Sequence, residues 1–226
     1  MLSLEPAIRM SLAIWLVRVA NSSRSRRAAA GSLSSTRWNR LRATRITEEF
    51  SSAVAVDGRC IAIVGGSRGA ELALLLASHY PDIKAVVAIV PGSAVFPALT
   101  DAMTTPGFSF GNQSLPFVPM TWGATPDLLV GNLRGAFEAI MRDEAAMQRA
   151  AIAVEKINGP VQFVSASRDE MWPSKEMADA MMQRLMANGF RHASEHLVVQ
   201  GGHGEPLDEF PKMEAFLDTH FKQACR

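Results

Sequence analysis

Apolar residues fall in short unbroken runs separated by longer stretches with helical spacing. Cys60–Val64 (CIAIV) is too short for a helix and predicts a buried strand. Arg68–His79 is apolar nearly all round and predicts a buried helix. Lys84–Val90 (KAVVAIV), Val161–Ser165 (VQFVS) and His196–Gln200 (HLVVQ) complete a set of four strands. Ser174 is the expected N-cap of a helix to Asn188, with Met177, Ala178, Met181, Met182 and Leu185 as its apolar stripe. A last helix is expected from about Leu207 to Phe221, and ITEEFSSAV at 46–54 reads as the end of an amphipathic helix. Apolar strands alternating with helices predict an α/β fold, a mostly parallel sheet with helices on both faces. Residues 91–150 break that rhythm with Pro, Gly and aromatic residues and then a helical stretch. They read as an insertion after the second strand, of the kind that covers a site or simply packs.

Composition adds three constraints. A chain of 226 residues that is 48% hydrophobic can bury a sizeable core, and no apolar run approaches the roughly 20 residues of a membrane span. The charge is uneven. Residues 1–45 hold nine Arg and one acid, Glu5, whereas the remainder holds 14 basic and 21 acidic residues. The body is therefore mildly acidic, and nothing in it suggests a nucleic-acid surface. The two cysteines, Cys60 and Cys225, give neither a disulfide framework nor a zinc-binding spacing, which fits a reducing, cytoplasmic setting. The Ser- and Arg-rich, acid-poor segment NSSRSRRAAAGSLSSTRWNR resembles a mitochondrial transit peptide. The plainer reading is a poorly ordered N-terminal extension over 1–45.

The chemistry gathers at VGGSRGAELA, between the first strand and its helix. One reading is a phosphate cradle for NAD(P). Glu71, however, places a carboxylate in the first helical turn, where a pyrophosphate would need positive potential. The next strand also ends in Pro91-Gly92-Ser93 rather than in an acid for the ribose. The other reading is a nucleophile elbow. Gly65-Gly66-Ser67-Arg68-Gly69 fits G-x-S-x-G, in which small residues let strand and helix approach while the serine adopts a strained conformation. Ser67 then stands at the C-terminal edge of the sheet, and the Arg68 backbone N–H faces the developing oxyanion.

A serine nucleophile needs a base, and the base needs an orienting acid. Asp169 follows the strand VQFVS, and its neighbour Glu170 is the alternative acid. His203 follows the strand HLVVQ on a glycine-flanked loop, whereas His79, His192, His196 and His220 sit in ordinary structural positions. The chain order Ser67, Asp169, His203 is that of α/β hydrolases. No metal or cofactor is called for.

Residues from about 58 to 205 resemble the C-terminal domain shared by acyl-CoA thioesterases and bile acid-CoA:amino acid N-acyltransferase. The resemblance lies in GGSRGAELALLLASHYPDIKAVVAIVP, SLPFVP at 114–119, VEKINGPVQFVSASRDEMWPS at 154–174, and ANGF with EHLVVQGGHGEP. It implies an α/β-hydrolase fold over 46–226, acyl-CoA as substrate, and Ser67, Asp169 and His203 as nucleophile, acid and base. Serine at a position that is cysteine in the acyltransferase branch points to hydrolysis. The family also carries earlier strands, a separate N-terminal domain and a second oxyanion donor, and residues 1–57 show no matching loop. Two expectations follow. The edge of the strand at 60–64 invites homo-oligomerisation unless residues 10–20 cover it. An incomplete oxyanion hole would leave a catalytically impaired remnant that acts by association.

Overall fold

The computed structural model describes residues 14–17, 60–99, 103–110 and 113–224. In chain order the strands are β1 (Ile14–Val17), β2 (Ile61–Gly66), β3 (Ile83–Ile89), the two-residue pair β4 (Ser109–Phe110) and β5 (Gln113–Ser114), β6 (Val161–Ala166) and β7 (Ser194–Val199). The α-helices are α1 (Arg68–His79), α2 (Thr125–Leu129), α3 (Leu133–Met141), α4 (Glu144–Ala150), α5 (Ser174–Ala187) and α6 (Phe210–Ala224). The main sheet has the order β1-β2-β3-β6-β7. Strands β2, β3, β6 and β7 are parallel, and β1 pairs antiparallel with β2, Ile14 opposite Gly65.

Each central strand buries both faces, so its alternate residues serve different helices. Ile63, Val86, Ala88, Val161 and Phe163 point to the layer of α1 and α5, where Leu74, Met181 and Leu185 meet them. Ala62, Val64, Ala85, Val87, Ile89, Val164 and Ala166 point to the opposite layer, where α6 contributes Met213, Phe216, Leu217 and Phe221. This two-sided burial explains why the strands read as continuous apolar runs rather than alternating ones.

The four strands expected from the sequence are β2, β3, β6 and β7, and residues 91–150 lie between β3 and β6. Ser174 departs from expectation: it is the first residue of α5 rather than its N-cap, which is Pro173. The Ser174 hydroxyl instead accepts from the Ala166 N–H at 3.4 Å and ties the helix to β6. Residues 207–209 belong to a 3₁₀ turn (Glu205–Glu209), so the last helix starts at Phe210. Cys60 is disulfide-bonded, which corrects the expectation drawn from so few cysteines. The edge of β2 is covered by β1. The predicted helix end at 46–54 lies outside the described residues. Among the described residues no helix is long and apolar enough to cross a membrane.

The insertion has its own core, in which Ala94, Phe96, Val118, Ala136, Ile140 and Ala150 pack with Trp172 and Met177. It is thereby fastened to the loop that leaves β6.

The tightest joint is between β2 and α1. A Cβ added to Gly65 would lie 2.2 Å from the Gly69 carbonyl oxygen, a backbone atom that cannot step aside. Gly65→Ala is therefore expected to destabilise the protein by about 1–3 kcal/mol. Urea unfolding monitored by circular dichroism should show a lower midpoint with an unchanged slope.

Candidate active site

Ser67 occupies the turn between β2 and α1 with φ 55° and ψ −122°. A non-glycine residue at positive φ costs energy and persists only where its surroundings enforce it. Here the Ser67 N–H donates to the Ile89 carbonyl at 2.8 Å, and its carbonyl accepts from Ala70 and Glu71 N–H groups at 2.9 and 3.2 Å. The chain is thus pinned on both sides of the strained residue. Arg68 opens α1, so its N–H belongs to the first turn, whose donors have no partner within the helix.

Two other positions at this edge were not evident from sequence. Val90, just after β3, has φ 42°, an outlier for a β-branched residue. Its carbonyl accepts from the Trp172 indole N–H at 3.2 Å. The Trp172 ring lies 6.2 Å from that of His203 and packs against Phe96 and Phe137.

Asp169 and His203, both almost completely buried, are brought together. The His203 Nδ1–H donates to Asp169 Oδ1 at 2.8 Å. The same oxygen accepts from the Met171 and Trp172 N–H groups at 3.0 and 3.3 Å, which fixes the carboxylate within its own turn. An ionised carboxylate can only accept, so the proton resides on Nδ1 and Nε2 presents its lone pair. Nε2 is buried and has no hydrogen-bond partner among the described residues, Ser67 included. Glu170, the alternative acid, does not meet the ring; its Oε2 accepts from the His203 backbone N–H at 2.9 Å. Arg134 on α3 donates to the Asp169 carbonyl at 3.0 Å and pairs with Glu176 at 2.7 Å. Its role was invisible in the sequence because 35 residues separate it from the loop it holds.

Glu71 is fully buried rather than presented to a ligand. It pairs with Arg68 and accepts from the Phe96 N–H at 3.1 Å. Arg68 in turn donates to the Phe96 and Pro97 carbonyls, each at 3.1 Å, and lies over the Phe108 ring. The pair fastens the start of the insertion to the first turn of α1. Burial pushes the Glu71 carboxyl up to about 7, against the opposing pull of Arg68 and the Phe96 N–H. Of residues 1–57, where the sequence shows no loop for a second oxyanion donor, only 14–17 are among the described residues. Because β1 runs antiparallel to β2, its first residue, Ile14, stands at the Ser67 end of the sheet.

A second Ser–His–Asp array runs from buried Ser165 to Asp179 at the surface. Ser165 Oγ meets His196 Nε2 at 2.7 Å, His196 Nδ1 meets Asp179 at 3.0 Å, and Asp179 pairs with Lys175 at 2.7 Å. Ser165 is completely buried within the strand β6 and is not one of the residues at positive φ. This array joins β6, β7 and α5 and offers no route for a substrate.

Residues 50–225 match the family described as the BAAT/acyl-CoA thioester hydrolase C terminal. The chain belongs to this family, and its fold is that of an α/β hydrolase. No curated protein sequence matches it. Among solved structures, a puromycin-hydrolysing peptidase of Mycobacterium tuberculosis is 16% identical, covering 81% of this chain and 25% of that one, with a TM-score of 0.50. The acylaminoacyl peptidase of Pyrococcus horikoshii is 14% identical over 76% of this chain and 25% of that one, at 0.47. An esterase of Pyrococcus furiosus is 16% identical over 79% and 60%, at 0.48. At these identities the likeness concerns the fold alone, and it rests on the mycobacterial structure. The chain spans about a quarter of the length of the two peptidases.

Two stability outcomes follow from the buried charges. Glu71→Ala leaves Arg68 buried without its partner and is expected to cost about 3–5 kcal/mol in urea unfolding. The apolar pair Arg68→Met with Glu71→Leu removes the orphaned charge but leaves the Phe96 N–H and the Pro97 carbonyl without these partners, so it is expected to recover only part of that loss. Burial lowers the His196 pKa below 6.5, and Asp179 only partly opposes it. The imidazole is then harder to protonate folded than unfolded, so its contribution is present above pH 6.5 and is lost as pH falls through the folded pKa. Glu71 acts in the opposite sense, because a carboxyl raised to about 7 gains stability as pH falls through that value. The His196 decline is therefore expected in the difference between wild type and His196→Asn, measured by unfolding between pH 7.5 and 4.5.

Proposed function

We propose that this protein is a serine hydrolase that cleaves acyl-CoA thioesters to the free acid and CoA. The observation that carries the reading is the buried Asp169–His203 hydrogen bond, with His203 Nε2 left as an acceptor, in loops that leave neighbouring strands of the sheet. Ser67 follows β2 at the corresponding end and holds the strained conformation of a nucleophile elbow. Membership of a family described by acyl-CoA thioester hydrolysis supports the thioester as substrate class.

In this mechanism His203 Nε2 takes the Ser67 proton as Oγ attacks the thioester carbonyl. The Arg68 N–H and the positive end of α1 stabilise the tetrahedral oxyanion. Collapse breaks the carbon–sulfur bond, and the thiol leaves with the proton held by His203. Water, deprotonated by His203, attacks the acyl-serine, and the carboxylic acid departs as Ser67 regains its proton. Asp169 keeps the proton on Nδ1 and stabilises the imidazolium. The missing Ser67–His203 hydrogen bond is compatible with this scheme, because catalytic contacts in unliganded enzymes tighten on binding.

That missing contact also supports a second reading, an impaired family member that binds but does not turn over. A fluorophosphonate probe and a series of short- and long-chain acyl-CoA substrates separate the two. Hydrolysis requires labelling and turnover that Ser67→Ala abolishes, and Asp169→Asn should lower kcat by about 10⁴. Labelling without turnover of any acyl-CoA would favour the impaired reading. No Ser67-dependent labelling would remove the nucleophile assignment.

A further inference from the structure

We propose that Glu170 is a positioning residue for His203, holding the backbone of the histidine while Asp169 holds its ring. This rests on the hydrolase reading of the site. The loops after β6 and β7 are stitched together at their base. Arg168 N–H donates to the Gly201 carbonyl at 2.9 Å and Ser167 N–H to the Val199 carbonyl at 2.9 Å. The Ser167 hydroxyl donates to Gln200 at 3.0 Å and accepts from Gly201 N–H at 3.3 Å. These bonds stop at Gly201. The His203 N–H is reached by Glu170, at 2.9 Å.

Gly202 makes this contact feasible. A Cβ at residue 202 would lie 2.5 Å from Glu170 Oε2, so the glycine leaves the space that the carboxylate crosses. The other charged group bordering Gly202 is Glu205, 3.4 Å from the same point. Fixing both the backbone and Nδ1 of His203 determines where Nε2 points, and the aim of a base is worth large factors in rate. The adjacent carboxylates thus divide one task. Asp169 is buried and faces the ring, whereas Glu170 is exposed and reaches the main chain. Its exposure makes it a clean target, since surface substitutions seldom disturb the fold.

The experiment compares the wild type with Glu170→Gln, Glu170→Ala, Gly202→Ala and the Glu170→Ala/Gly202→Ala double variant. Readouts are the pH profile of kcat/KM on acetyl-CoA and octanoyl-CoA, the rate of fluorophosphonate labelling at Ser67, and the downfield proton resonance of His203 Nδ1–H. Glu170→Ala is expected to lower kcat/KM about tenfold, the loss of one charge-assisted hydrogen bond. Glu170→Gln, which keeps an acceptor, should retain most of the rate. Glu170→Ala should also broaden the Nδ1–H resonance, with the melting temperature unchanged. The double variant should be no worse than the poorer single one, because both break the same contact. Unchanged rate, pH profile and resonance in Glu170→Ala would overturn the inference. If the wild type neither labels nor turns over, the hydrolase reading fails, and the Nδ1–H resonance alone then decides whether Glu170 holds His203.

Discussion

The site depends on one close approach, between the end of β2 and the first turn of α1. Gly65 lies so near the Gly69 carbonyl that no side chain fits between them. With strand and helix pressed together, the residue that joins them has no relaxed conformation open to it, and Ser67 takes φ 55°. Hydrogen bonds to β3 and to α1 itself then hold the turn. The strain is therefore not a local property of the serine. Packing on both faces of β2 and β3 offsets it, through cores in which nearly every strand residue is buried.

Much of this frame was legible because its causes are local. Apolar runs such as KAVVAIV mark strands buried on both faces, and the glycines around Ser67 mark the elbow. Asp169 and His203 could be singled out because each follows such a run, and they do meet at 2.8 Å. What the sequence left open was the division of work between Asp169 and Glu170. Both lie in one loop, and only the three-dimensional turn shows one carboxylate at the ring and the other at the main chain. Glu71 was read through its charge alone, as a repulsion against phosphate. Its burial and its pairing with Arg68 depend on the chain near Phe96, 25 residues away.

His196 shows the limit of arguing from residue types. From its place in a strand it reads as structural, and it is structural, yet it completes a hydrogen-bonded Ser–His–Asp array. Ser165 lacks what distinguishes Ser67, namely a positive φ in a turn that leads directly into a helix. Composition of a triad is therefore weaker evidence than the backbone that presents it. A serine in the middle of a buried strand has nowhere to place a tetrahedral intermediate.

The same reasoning gives the insertion a part in the site. Trp172 belongs at once to the acid loop, to the insertion core and to the neighbourhood of His203. Its indole N–H holds Val90, the second strained residue at this sheet edge. Arg134 reaches from α3 to the carbonyl of Asp169, and Arg68 reaches from the elbow to Phe96 and Pro97. The insertion is thus joined to the nucleophile turn through Arg68 and to the acid loop through Arg134 and Trp172. A segment held at both points cannot shift without moving the acid relative to the elbow. Its sequence therefore bears on how Ser67, Asp169 and His203 are placed relative to one another.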